Sequence, residues 1–187
     1  MFVLAHLVAG LLIGLIFWKV SGDRRAVAVG AVGGVLSDVI DKPLGHIFLK
    51  GSVDYGRIYF HGLVVLLVLL ILGLALWRYR GAILGIVLAA GIFSHQIMDG
   101  MWRHPVEWYW PFLGPYPKHH YTDYFWNSFW REVSEPSEWL LFIAAGIILG
   151  LFYRRELGGF CTRVLVAPLR RLIRAVAARF TAPHCER

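Results

Sequence analysis

Apolar residues gather in five long runs, over residues 2–18, 26–40, 61–77, 82–99 and 138–153, and polar positions collect between them. A transmembrane helix needs about 20 apolar residues, and about 17 make a short span. The second run, "AVAVGAVGGVLSDVI", is shorter and rich in glycine. Its small residues would let it pack between other helices, or it could enter and leave the bilayer on one side. Downstream, Leu165, Leu169, Leu172, Val176 and Phe180 share one helical face, and Arg163, Arg170, Arg171 and Arg174 lie on others. That spacing predicts a basic amphipathic helix on the cytoplasmic leaflet, disturbed early by Pro168. The expected fold is an all-α integral membrane protein: a bundle of about five transmembrane helices plus a C-terminal amphipathic interfacial helix. Residues 1–158 form the transmembrane domain and residues 159–187 the basic tail.

Composition agrees with this pattern. The chain is 58% hydrophobic and only 17% charged, against roughly a quarter charged in soluble domains. That excludes an ordinary soluble enzyme. The net charge of +7 is concentrated toward the C-terminal end. It points to anionic lipid as a partner rather than to nucleic acid, for which there is no recognisable module. Cys161 and Cys185 form no CxxC pattern and read as free thiols on a reducing side.

Basic residues set the orientation. Lys19, Arg24 and Arg25 follow the first run, Arg78 and Arg80 the third, and Arg154 and Arg155 the fifth. If all five runs span, these ends share the cytoplasmic side. The N-terminus, the loop 41–60 and the long loop 100–137 then lie outside. No Lys or Arg precedes the first run, so it reads as an uncleaved helix in the cell (inner) membrane, with its N-terminus outside and the C-terminus cytoplasmic. The loop 100–137 is dense in Trp, Tyr, Phe and Pro, which suits an aromatic belt at headgroup level, a lid over a lipid-facing site, or both.

Under this topology the ionisable residues that interrupt apolar runs collect at one end. His6, Asp38, Asp41, His61, His95 and Asp99 all fall at the outer ends of four different runs. Ionisable groups near the bilayer interior are costly and mark functional sites. His95 and Asp99 are four apart and Asp38 and Asp41 three apart, so each pair shares a helix face. Imidazole with carboxylate suits Zn, with Mn or Fe as alternatives, and the set is large enough for one to three ions. A structural zinc site usually includes Cys, and no Cys is near, which favours an open catalytic site. Asp38 is the candidate bridging ligand and base. Arg57 is a candidate clamp for a substrate phosphate, and His104 a further ligand or general acid. His46, His119, His120, Asp123, Glu132, Glu135 and Glu138 belong to the same outer loops without an assigned role.

The order of motifs resembles the membrane-bound metal-dependent hydrolase family over roughly residues 1–115. The matching residues are the early His6, "GGVLSDVID", "RIYFHG", "GIFSHQIMDG" and "WPF". Asp38 fits the first Asp of the family's Pro-Asp-x-Asp motif, but Ser37 stands in place of the Pro and Asp41 comes one residue late. Arg57 and His61 fit an Arg and a His of a second motif, in which Gly56, Phe60 and Gly62 replace polar members. The family looks distantly similar to zinc-dependent phospholipase C and to zinc-dependent single-strand nucleases. The resemblance implies an α-helical fold and metal-dependent hydrolysis of a phosphoester. With the site at headgroup level, the expected substrate is a lipid or lipid-linked phosphate. Two rivals remain: a non-catalytic scaffold with a structural polar or metal site, and an ion or proton transporter. The second would need polar residues continuing to the cytoplasmic ends, which the runs lack.

Overall fold

Each of the five apolar runs is helical in the computed structural model, which describes residues 3–154. Seven α-helices form among the described residues, and no strand: α1 (Val3–Ser21), α2 (Arg25–Pro43), α3 (Leu63–Arg80), α4 (Leu84–Met98), α5 (Pro105–Trp108), α6 (Tyr124–Ser134) and α7 (Pro136–Phe152). The amphipathic tail helix and both cysteines lie outside the described residues. The chain divides into two compact units, Met1–Ala145 and Gly146–Arg187. The described part of the second unit, 146–154, contains the last turns of α7.

The length test separates these helices. Among the described residues, only α1 and α3 are long and apolar enough, each by itself, to cross a bilayer. The pair α6 and α7 counts as a third span only if its 74° bend is one broken crossing. Length and composition thus support two or three of the five expected spans among the described residues, and α2 and α4 do not pass by themselves. The reason is local: α4 is 15 residues long, and α2 carries Arg25, Asp38, Asp41 and Lys42.

Lipid tails are as apolar as leucine, so helices in a bilayer associate through close packing and hydrogen bonds rather than through the hydrophobic effect. Glycine supplies the close packing here. Gly10 and Gly14 of α1 meet Gly30, Gly34 and the Ala26–Val27 backbone of α2 so closely that no Cβ would fit. Gly33 of α2 meets Gly91 of α4, and Gly73 of α3 meets Gly85. These contacts bring α1, α2 and α4 together and lay α3 on α4. Leu66, Ala89 and Ile92 form a small buried cluster with Leu36, Leu63 and Leu88. Ile16, Val20, Ile71 and Leu72 remain exposed on the outer faces of α1 and α3.

Polar groups hold the other end. At the start of α1, Glu132 accepts from the Val3 N–H at 2.6 Å and Glu138 from the Leu4 N–H at 3.1 Å. A helix start leaves such donors unpaired and carries positive partial charge, so carboxylates suit it. At its far end, α2 continues into a π-helical turn, Leu44–Phe48. The third helix starts at Leu63, two residues later than the apolar run. Arg57 and His61 therefore sit in a non-helical segment rather than on one helix face. Asp41 is the cause: its carboxylate accepts the backbone N–H groups of Ile58, Phe60 and His61 at 3.0–3.1 Å. Ser37 donates to the Phe60 carbonyl, and Gln96 to the carbonyls of Phe60 and Gly62.

The loop 100–137 is partly helical, containing α5 and α6. It docks on the segment after α2. The His119 N–H donates to the Val53 carbonyl, the Tyr121 N–H to Asp54, and the Trp108 indole to Gln96. The Tyr121 N–H and the His46 ring hold the Asp54 carboxyl below its ordinary value of 3.8. A carboxyl whose pKa is lower folded than unfolded stabilises above the unfolded value and loses that contribution as pH falls through the folded one. Amide-exchange protection at Tyr121 should therefore be full above about pH 4 and collapse below it. In Asp54→Asn the protection should be weak at both pH values. Protection in the wild type that stays level through the acid range would contradict this docking.

Candidate metal centre

Four side chains from three segments converge on one point. Asp38 comes from α2, His61 from the segment held by Asp41, His95 from α4, and Asp99 caps the end of α4. One ligand atom from each lies within 4.8 Å of all the others. His61 Nε2 and His95 Nε2 are 3.1 Å apart. Asp38 Oδ1 is 3.5 Å from the first and 3.7 Å from the second. Asp99 Oδ2 is 3.5 Å and 3.8 Å away from the same two nitrogens. All four residues are shielded, with His61 and His95 fully buried.

The tautomers make this arrangement unusual. His61 Nδ1 faces Asp41 Oδ2 at 2.7 Å, and His95 Nδ1 faces the Gly34 carbonyl at 2.7 Å. Both partners only accept, so both Nδ1 atoms carry hydrogen and both Nε2 atoms present lone pairs when the rings are neutral. Asp38 Oδ1 is buried with no hydrogen-bond partner. Asp99 Oδ2 is also in no hydrogen bond, though Arg57 Nε pairs with it electrostatically at 3.2 Å. Electron-rich atoms so placed require a cation or a shared proton between them. Tetrahedral zinc at 2.0–2.1 Å from its ligands sets them about 3.3 Å apart. The nitrogen–nitrogen and nitrogen–oxygen separations of 3.1–3.8 Å lie close to that spacing. Three carboxylates, Asp38, Asp41 and Asp99, face two fixed cations, Lys42 and Arg57, which leaves a negative balance for such an ion to meet.

The surrounding groups orient the donors. Lys42 Nζ holds Asp38 Oδ2 at 2.7 Å, turning Oδ1 inward. His6 Nε2 lies 3.2 Å from Asp99 Oδ1, and its ring packs at 4.2 Å on that of His95. His6 and Asp41, both expected as ligands, thus stand outside the group of four and support it. Orienting groups of this kind typically change metal affinity by 10–100-fold. Asp41→Asn should therefore weaken binding by about that factor, measured by competition with a chelator, while the protein stays folded. Unchanged affinity would remove Asp41 from the site.

Arg57 and His104 lie beside the centre. Arg57 Nη1 is 3.4 Å from His104 Nε2, and both residues line a cavity of about 460 Å³. Its other walls include His46, Gly56, Tyr124 and Arg131. Tyr55, also on the wall, has its phenol pKa pushed up by burial. Sequence reasoning missed Lys42, Gln96, Asp54 and Arg131. Lys42 was accessible from its i, i+4 spacing to Asp38. The other three act across loops, which no periodicity reports.

A family model described as YdjM inner membrane protein matches residues 1–179. No curated protein and no solved structure matches the chain.

Proposed function

With the chain belonging to the YdjM inner membrane protein family, and hence to the membrane, we propose that it is a metal-dependent hydrolase of a lipid or lipid-linked phosphoester. The observation that carries this reading is the convergence of four donor atoms, Asp38 Oδ1 without a partner, beside a cavity lined by two arginines. The family description names a membrane and no reaction, so the activity rests on the site. An ion held by Asp38, His61, His95 and Asp99 would supply a Lewis acid and a water nucleophile at neutral pH. Arg57, fixed through Nε by Asp99, would present its Nη atoms to the phosphate. Arg131 would add a second positive charge. Asp38, with Lys42 on its other oxygen, would take the proton lost by the attacking water. The outer face is the proposed side. Reporter fusions after residues 22 and 80 should both read cytoplasmic, and an external reading at 80 would overturn that placement.

A second reading has its own observation. Four protein ligands would fill a tetrahedral ion completely, as in structural sites. The ion would then clamp α2, α4 and the segment before α3. Vesicles containing phosphatidic acid and phosphatidylglycerol separate the two. The hydrolase reading expects cleavage that a chelator abolishes and Zn or Mn restores, with the protein folded throughout. If the chelator instead unfolds the protein and no lipid is cleaved, the structural reading replaces it.

A further inference from the structure

We propose that His46, positioned by Asp54, is the proton donor to the leaving-group oxygen; this inference rests on the hydrolase reading above. His46 Nδ1 faces Asp54 Oδ1 at 2.9 Å, and the two side chains are 2% and 3% exposed. The carboxylate accepts, so Nδ1 carries the hydrogen and Nε2 is the exchangeable atom. Nε2 is buried and has no hydrogen-bond partner. A buried, unpartnered ring nitrogen backed by a carboxylate on a cavity wall is the arrangement of a general acid–base.

Several local features hold it there. His46 stands on the π-helical turn after α2, an element rare in proteins and frequent at functional sites. Its ring stacks on Tyr124 of α6 at 3.6 Å, which fixes the ring plane. Asp54 sits at φ 44°, in the left-handed region that a non-glycine residue occupies at a cost. Its second oxygen takes the Tyr121 N–H at 2.7 Å, so both oxygens are directed. Gly56 lies directly before Nε2, and a Cβ there would come within 2.9 Å of that atom. The missing side chain leaves space against the nitrogen, and His46 and Gly56 line the same cavity as Arg57 and Arg131.

His104, expected from the sequence as the acid, is placed differently. Its Nε2 lies 3.4 Å from Arg57 Nη1, which can only donate, so that nitrogen accepts. In the proposed step a water oxygen bonds to phosphorus and the P–O bond to the alcohol breaks. The electron pair stays on the alcohol oxygen, which takes the Nε2 proton of the His46 imidazolium. The proton lost by the water is taken by Asp38 and passes from it to solvent, from which His46 is recharged.

The test combines tautomer and leaving-group measurements on full-length protein. Nitrogen NMR of the His46 ring should show hydrogen on Nδ1 in the wild type and lose that preference in Asp54→Asn. This readout needs no turnover. Activity is then compared on phosphatidic acid or phosphatidylglycerol vesicles, whichever the wild type cleaves, and on the matching p-nitrophenyl ester, whose leaving group needs no proton. His46→Gln should lower cleavage of the lipid by about 10²-fold or more and of the nitrophenyl ester by less than about tenfold. Bound metal should be unchanged in it. Gly56→Ala should reproduce the pattern by blocking Nε2. Equal losses on both substrates, or a neutral wild-type ring that carries its hydrogen on Nε2 rather than on Nδ1, overturn the role of His46 alone. A wild type that holds metal yet cleaves neither substrate overturns the hydrolase reading, and the proton-donor role with it.

Discussion

His61→Ala and His95→Ala should each abolish stoichiometric metal binding while the protein still inserts and stays folded. Each removes one of four donors that converge within 4.8 Å. The loss should exceed the 10–100-fold typical of an orienting group by a wide margin. Hydrolysis should fall to background in both. His120, exposed on the loop 100–137, is the control, and His120→Ala should retain full metal content. A purely structural hydrogen-bond network gives another pattern: unfolding in both variants and no metal in the wild type to lose.

The second large effect is in packing. Gly34→Ala should destabilise the protein by about 2–3 kcal/mol, the upper part of the range of about 1–3 kcal/mol for forcing extra atoms into a close-packed contact. A methyl group at Gly34 would collide with the His6 carbonyl, and backbone cannot swing aside as a side-chain tip can. The Gly34 carbonyl also takes the His95 Nδ1 hydrogen, so a shift of α2 would turn a ligand ring. Metal affinity should therefore fall together with thermal stability. Gly51→Ala, where nothing lies within 4 Å, should alter neither. Equal melting temperatures for wild type and Gly34→Ala would show that α1 and α2 are not held at this contact.

Much of this was legible because two periodicities report it. Apolar runs located α1, α2, α3, α4 and α7 within a few residues, and interruptions by His and Asp marked one end of the bundle. His95 and Asp99 could be paired from their spacing alone. The rest depended on long-range capture. Asp41 looks like a ligand by spacing, yet it spends its carboxylate on the Ile58, Phe60 and His61 N–H groups and on His61 Nδ1. That capture also unwinds the start of the third apolar run, which hydropathy alone extends to His61. His6 shares the level of the site but meets Asp99 rather than the point where the donors converge. The pairing of His46 with Asp54 depends on a π-turn and a left-handed residue, neither of which leaves a mark in a pattern of apolar positions. Glu132 and Glu138, unassigned from the sequence, cap α1.

The central claim is that Asp38, His61, His95 and Asp99 hold one divalent ion. Anomalous scattering across transition-metal edges, on protein purified without chelator, tests it most directly. The account predicts a single peak among these four side chains, with nitrogen and oxygen ligands at about 2.0–2.2 Å. Wild-type protein with no anomalous peak there, and no bound transition metal in solution, would contradict it.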